Sequence, residues 1–550
     1  MAKYVIGIDF GTLSGRALLV DAVTGEEKAE AVLDFRHGVM DEELPCGKKL
    51  PGQYALQHPN DYLEVLQTVV PKVLKDANVA PEEVVGLGID FTSCTMLPLD
   101  EQMEPFCTKP EWSEEPHAYV KLWKHHAAQP YADEINELAA VRNEEWLPRY
   151  GNKVSCEAFF PKIMQILREA PEIYQKTFRF MEAGDWIAYK LTGEETHGVS
   201  FAGYKGFWNA ETGYPSNEFL KALDPGLDGI VGTKIDPRVT CIDQIAGRLN
   251  EAGAALTGLA VGTPLALPII DAHAAMPALN ITGDGDLMLI IGTSGCHILN
   301  AAVEKPVEGI CGYVKDSVIP GMYTYEAGQA AVGDVFDWFV HHGVPASYQE
   351  EAASRGVSIH KILREKASGL RPGESGLVAL DWQNGNRSVL MDSDLSGMIL
   401  GMTLSTKPEE LYRAWIEATA YGTRMIVEQY EKNQISLNRI CAAGGIAMKD
   451  EMLMQIYADV LGREISVAGT TQAGALGSAI YAAVAGGLYE NVQEAAAKLA
   501  RPDKCSYRPI PENKEVYNEL YAEYKTLHDY FGRGENHVMK RLNSIAKRYQ

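Results

Sequence analysis

The sequence has no long apolar run, no excess of basic residues and no paired cysteines. No hydrophobic stretch reaches the roughly 18 residues of a membrane span, so no membrane partner is expected. The N-terminus lacks a signal-peptide pattern. The nine cysteines are scattered, with no Cys-x-x-Cys pair. An odd, dispersed set of thiols suits a reducing cytoplasm better than a disulfide framework. Zinc-ligand spacing is missing too: His125-His126 and His341-His342 are adjacent pairs, read as solvated or locally hydrogen-bonded. Lys and Arg number 50 against 74 Asp and Glu, a formal net charge of −24. That balance speaks against a nucleic-acid partner, which is held mainly through phosphates. What is present is a chain of 550 residues, 46% hydrophobic, long enough for at least two domains with sizeable cores.

The stretch from Val5 to Val20 organises the rest. Val5, Ile6 and Ile8 lead into Asp9; Gly11, Thr12, Ser14 and Gly15 form a turn; Ala17 to Val20 return. Successive turn N–H groups can form a concave anion site, and glycine lets a ligand approach the backbone. Thr12 and Ser14 add hydroxyls, and Arg16 adds a positive fork. Asp9 offers hard oxygens suited to Mg²⁺. The combination reads as a phosphate grip with a metal anchor; an ordinary glycine-rich hairpin is the alternative.

Further along, Lys28 to Phe35 reads as a strand and 41–57 as a surface loop. Residues 61–78 show helical spacing, with Pro71 expected to kink it. Val84 to Phe91 reads as a buried strand ending at Asp90-Phe-Thr-Ser-Cys94, where α/β proteins place ligands. Residues 113–147 read as helical, and Trp123 as a sugar-facing ring or a core residue. Helices are expected from Ala158 and over Gly184–Gly193, then a loop over Ser200–Trp208 holding Lys205. Leu265 to Ile270 is an apolar strand running into Asp271, a candidate general base or a helix cap. Leu287 to Ile291, Gly292-Thr-Ser-Gly295 and the residues to Asn300 repeat the opening theme, a weak internal duplication. This repeat puts a domain boundary near 272–285, with the two turns facing each other across a cleft. Glu326 precedes a small residue and Gly, as a substrate-facing carboxylate or a cap would. Pro408 to Asn433 is a long helix, Ala443-Gly-Gly445 a turn after a strand, and Thr471 to Ile480 a helix of small residues.

Asp9-Phe-Gly-Thr-Leu-Ser-Gly-Arg16, Ile291-Gly-Thr-Ser294, Ala443-Gly-Gly445, Gln455 and Ala458-Asp-Val-Leu-Gly462, in this order and spacing, resemble the FGGY family of carbohydrate kinases. The resemblance covers residue 3 to about 500. It implies an α/β fold of two actin-like (ribonuclease H-like) ATPase domains around a central cleft. The N-terminal sugar-binding domain would span 1–275, the C-terminal nucleotide-binding domain 276–500, and a peripheral helical appendage 501–550. It implies a cytoplasmic kinase using ATP and Mg²⁺ on a ketopentose, with a homodimer as the family-level expectation. The long loop ending Leu50-Pro-Gly-Gln-Tyr-Ala-Leu-Gln-His-Pro-Asn-Asp-Tyr62, Asp271-Ala-His273 and Asp381-Trp-Gln-Asn-Gly-Asn-Arg387 point to L-ribulose, giving L-ribulose 5-phosphate in arabinose catabolism. Other readings are a kinase of xylulose, another ketopentose or a pentitol, an actin- or Hsp70-like ATPase without a sugar, and a catalytically silent sugar sensor. By the same resemblance Asp271 is the base, and Ser93, Trp123, Lys205 and Glu326 contact the sugar. Gly11, Thr12, Ser14, Arg16, Gly292 and Thr293 hold the nucleotide phosphates. Gly444, Gly445 and Lys449 lie by the nucleoside, and Asp9 holds the metal. Lys449 stands where relatives often carry Asn, and Gln472 where the family usually has an acidic residue nearby.

Overall fold

Tyr4–Phe10 and Ser14–Asp21 pair antiparallel, and the Gly11 N–H donates to the Ser14 carbonyl at 3.0 Å to close the turn. This is seen in a computed structural model that describes residues 3–546, 548 and 549. Glu27–Asp34 adds an antiparallel strand on one side, and Val84–Phe91 runs parallel to the first strand on the other. The resulting seven-stranded sheet continues through Pro264–Ala266 and Ile245–Arg248, while Ile269–Ile270 also pairs with Val84–Phe91. The central strands are buried on both faces, which explains their nearly unbroken apolar runs. Side chains alternate between faces along a strand. On the Phe10 face lies the helix Pro59–Ala77, where Phe10 meets Tyr62 and the Gly15 backbone meets Val65.

On the Gly7 face lies the helix Ala473–Ala485. A Cβ at Gly7, Gly86 or Gly88 would fall 1.8, 2.1 or 2.0 Å from carbonyl oxygens of that helix. Three strand glycines thus let a helix of Ala, Gly and Ser lie directly on the sheet backbone. Gly477 does the same from the helix side, where a Cβ would fall 1.6 Å from the Ala274 carbonyl oxygen.

This packing explains how the chain is divided. One compact unit comprises 1–282, 313–324 and 472–501; the other comprises 283–312, 325–471 and 502–550. These units interleave along the chain because the small-residue helix returns to the first sheet. The segment after 501 belongs to the second unit. Cys505–Tyr507 pairs with Ile465–Val467, and the helix Pro511–Gly532 buries Tyr517, Tyr521 and Tyr524 within the second unit.

The second unit repeats the first hairpin. Asp286–Ile291 pairs antiparallel with Gly295–Ala301 and parallel with Arg439–Ala443, in a seven-stranded sheet. Pro408–Lys432 forms the long helix.

Two other expectations change. Residues 113–147 are helical only in part: the regular helix is Gln129–Arg142, preceded by short 3₁₀ turns at Pro116–Ala118 and His126–Ala128 and a two-residue strand, Val120–Lys121. Ser200–Trp208 is not a loop over most of its length, since Val199–Lys205 is helical and ends at Gly206. The Pro59–Ala77 helix runs through Pro71 for 19 residues. No described helix is long and apolar enough to cross a membrane.

Candidate active site

Three neighbouring parallel strands of the first sheet end in carboxylates. Asp9 and Asp90 are direct register partners, and Asp271 follows the strand Ile269–Ile270. Asp271 is the first residue of the helix Asp271–Ala278, and the Ala272 N–H donates to its Oδ1 at 2.7 Å. A carboxylate is favoured at this end of a helix by the unpaired N–H groups. The base and helix-start readings of Asp271 are therefore compatible.

Asp90 was not singled out from the sequence as a site residue. It is fully buried, and Ser478 Oγ of the small-residue helix donates to its Oδ2 at 2.6 Å. Burial pushes its carboxyl well above the usual range, and the charges of Asp9 and Asp271 add to this. Burial also raises Asp9, opposed by its hydrogen bond with Asp90 and by Arg16. Among the described residues Asp90 Oδ1 receives no donor from outside the pair, so a proton or a cation must join the two carboxylates. Gly474 keeps the space beside them open: a Cβ there would lie 3.4 Å from Asp9 Oδ2 and 3.5 Å from Asp90 Oδ1. Hard oxygens, missing positive charge and an open approach fit a divalent cation.

The opening turn is braced from two sides. Trp123 Nε1 donates to Thr12 Oγ1 at 3.1 Å, and Gln57 Nε2 donates to the Thr12 carbonyl at 2.8 Å. Tyr62 in turn donates to Gln57 Oε1. Trp123 is thus half-buried and tied to the hairpin, rather than being core filler. Arg16 donates to Gln472 Oε1 at 2.6 Å, and Gln472 donates to Glu30. Gln472 therefore orients the guanidinium, whose Nε is buried without an acceptor among the described residues. Ser93 Oγ is also buried without a partner among the described residues, at the turn where Cys94 adopts a φ of 48°. Lys205, the last residue of its helix, lies 3.8 Å from Glu157. Asp9, Gly11, Thr12, Ser14, Arg16, Ser93, Trp123, Lys205 and Asp271 all belong to the first unit.

Gly292, Thr293, Glu326, Gly444, Gly445 and Lys449 belong to the second. The second turn is closed like the first, with the Gly292 N–H donating to the Ser294 carbonyl at 3.1 Å. Its carbonyls receive the helix Gly333–His342: Gly333 N–H donates to Gly292, and Val332 and Asp334 donate to Thr293. Gly444 takes a φ of 96° and packs on the Ile291 backbone, while Gly445 faces open space. Lys449 is exposed, and its carbonyl accepts from Arg364. Glu326 is half-buried on the strand Tyr323–Gln329. Asp381 is internal: Gln329 and Tyr524 donate to it, and burial pushes its carboxyl up to about 6.

Residues 4–276 match the model of the N-terminal domain of the FGGY family of carbohydrate kinases, and 287–486 match that of its C-terminal domain. The chain belongs to the FGGY family. It is a sugar kinase, and sugar kinases of this family take their phosphoryl group from ATP. FGGY relatives named ribulokinase are close in sequence. That of Geobacillus thermodenitrificans is 52% identical over 545 residues, covering 98% of this chain and 96% of its own. That of Halalkalibacterium halodurans is 51% identical over 548 residues, covering 99% and 97%. Among solved FGGY-type folds, the xylulose kinase of Rhodospirillum rubrum superposes with a TM-score of 0.80 at 24% identity, covering 96% of this chain and 98% of that one. The glycerol kinase of Plasmodium falciparum, solved with ADP, gives 0.73 at 17%, covering 96% and 98%.

Proposed function

We propose that the chain phosphorylates the terminal hydroxyl of L-ribulose, with ATP as donor and Asp271 as general base. The L-ribulose assignment is supported by near-full-length relatives at about half identity that carry the name ribulokinase. The assignment of Asp271 is supported by its place at a strand end, beside the Asp9–Asp90 pair.

In this scheme Asp271 accepts a hydrogen bond from the attacking hydroxyl and holds it in line. The hydroxyl oxygen bonds to the γ-phosphorus, the bond from that phosphorus to the β–γ bridging oxygen breaks, and ADP departs. The hydroxyl proton passes to Asp271. Positioning and charge neutralisation do most of the work in such a transfer. Thr12, Ser14 and Arg16 on one hairpin, and Gly292 and Thr293 on the other, supply donors to phosphate oxygens. Gly445 leaves room beside the backbone for the nucleoside, with Lys449 nearby. Lys205, Glu326, Ser93 and Trp123 contact sugar hydroxyls. A Mg²⁺ ion held by Asp9, backed by Asp90, would offset phosphate charge.

Asp271→Asn is expected to fold and bind sugar while losing at least about a hundredfold in kcat, the usual scale for a general base. Near-normal kcat would remove Asp271 from this role. A panel of L-ribulose, D-ribulose, xylulose, glycerol and pentitols, read by ADP release, tests the substrate. A higher kcat/KM on any other member would replace L-ribulose. ATP hydrolysis at full rate without sugar would favour a motor-type ATPase instead.

A further inference from the structure

Lys162 is a fully buried lysine on the helix Phe159–Glu169. Its ammonium donates to two main-chain carbonyls, Cys94 at 2.6 Å and Leu122 at 3.0 Å. It makes no ion pair within 4 Å among the described residues; Glu182 acts on it only through space. Burying an ammonium is costly, and two carbonyls could be satisfied by neutral donors. What this ammonium does is join two chain segments at defined points.

Those points flank two candidate sugar contacts. Cys94 follows Ser93 in the tight turn after Val84–Phe91, and its backbone is in the left-handed region, at a φ of 48°. Such a conformation persists in a non-glycine residue only when its surroundings hold it. Leu122 precedes Trp123, whose indole reaches Thr12. The same helix grips the second segment again one turn on, where Gln165 bonds His125 at 2.8 Å. His125 in turn accepts from the Ala55 N–H, two residues before the Gln57 that braces Thr12. The helix is therefore a splint along the wall that carries Ser93, Trp123 and Thr12.

We propose that Lys162 is a positioning residue for the sugar pocket, fixing the Ser93 turn against the Trp123 segment without touching the substrate. This rests on the reading that Ser93 and Trp123 contact the sugar. The test compares Lys162→Met, Lys162→Arg, Ser93→Ala and Trp123→Ala in the full chain, with L-ribulose and ATP varied separately. Lys162→Met is expected to raise the KM for L-ribulose about tenfold to a hundredfold, the scale of a small misplacement of contact groups. The KM for ATP should rise clearly less, since Lys162 reaches the phosphate-binding Thr12 only indirectly, through Trp123 and the Gln57 brace. Lys162→Arg, which keeps the charge and the donors, should recover part of the loss.

An unchanged sugar KM in folded Lys162→Met, while Ser93→Ala or Trp123→Ala raises it, overturns the positioning role and leaves the pocket reading standing. If neither Ser93→Ala nor Trp123→Ala alters sugar KM, the pocket reading fails and takes the inference with it. Equal increases in both KM values would mark Lys162 as a general fold support, which also overturns it. Should Lys162→Met not fold, Lys162→Gln carries the same comparison.

Discussion

A carboxyl group forced to keep its proton near neutrality leaves a signature in how stability varies with pH. Burial pushes Glu182 up to about 8 from an ordinary 4.5, with Asp185 raising it further and Lys162 opposing. Between those values the folded chain binds more protons than the unfolded one, so stability falls as pH rises through that window. Glu182→Gln removes the titration. The variant's melting temperature relative to the parent should therefore climb from pH 4.5 to 8 and level off outside that range. A constant difference across the range would contradict the assignment. At this scale the sequence was informative about Asp9 and Asp271, because each ends an apolar run. Asp90 reads from the strand pattern only as part of a ligand-placing strand end, although a sharper signal is present. Gly7-Ile-Asp-Phe10 recurs as Gly88-Ile-Asp-Phe91, and the two tetrapeptides pair residue for residue, with Phe10 stacked on Phe91 at 4.9 Å. The hydrogen bond from Ser478 was not legible, since it joins residues nearly 400 positions apart.

Between elements, the contact of greatest consequence is the small-residue helix on the glycine-bearing strands. Gly88→Ala would push a methyl group to 2.0 Å from the Ser478 carbonyl, where backbone rather than a flexible side chain must move. The expected cost is about 1–3 kcal/mol by overpacking, measured by denaturant unfolding. Turnover should fall as well, because the same helix carries Ser478 to Asp90 and Gly474 to Asp9. A stable, fully active variant would show that the sheet yields there. The hairpins, the long helix and this small-residue helix were readable from periodicity and glycine placement. Two segments were not, and tertiary partners explain both. In 113–147, Lys121 bonds His117 and His125 bonds Gln165, so these polar side chains are buried rather than lining a solvated helix. In 199–205, Gly203 is small because Val314 packs on it and Tyr150 bonds its carbonyl. A residue that looked like a loop former is a packing contact inside a helix.

For the whole chain, the two units alternate along six segments, so the backbone passes between them five times. A fragment of residues 1–282 holds the first sheet but lacks the helix 473–485 that covers its glycine face. It should fail to give a cooperative melt alone, and a peptide of residues 472–501 added in trans should restore one. A cooperative melt of the isolated fragment would show that the covering helix is dispensable. The family was legible from motif order, whereas this interleaving was not, because glycine spacing in strands does not reveal which distant helix needs it. The same connectivity sets an order of events on the ribosome. The nascent chain offers the first sheet early, yet its cover emerges only after residues 283–471 have been made. At about 5–20 residues per second that interval lasts on the order of 10–40 s. The oldest part of the polypeptide therefore waits longest for its cover, and through that delay it is a natural client for chaperones that shield bare sheet.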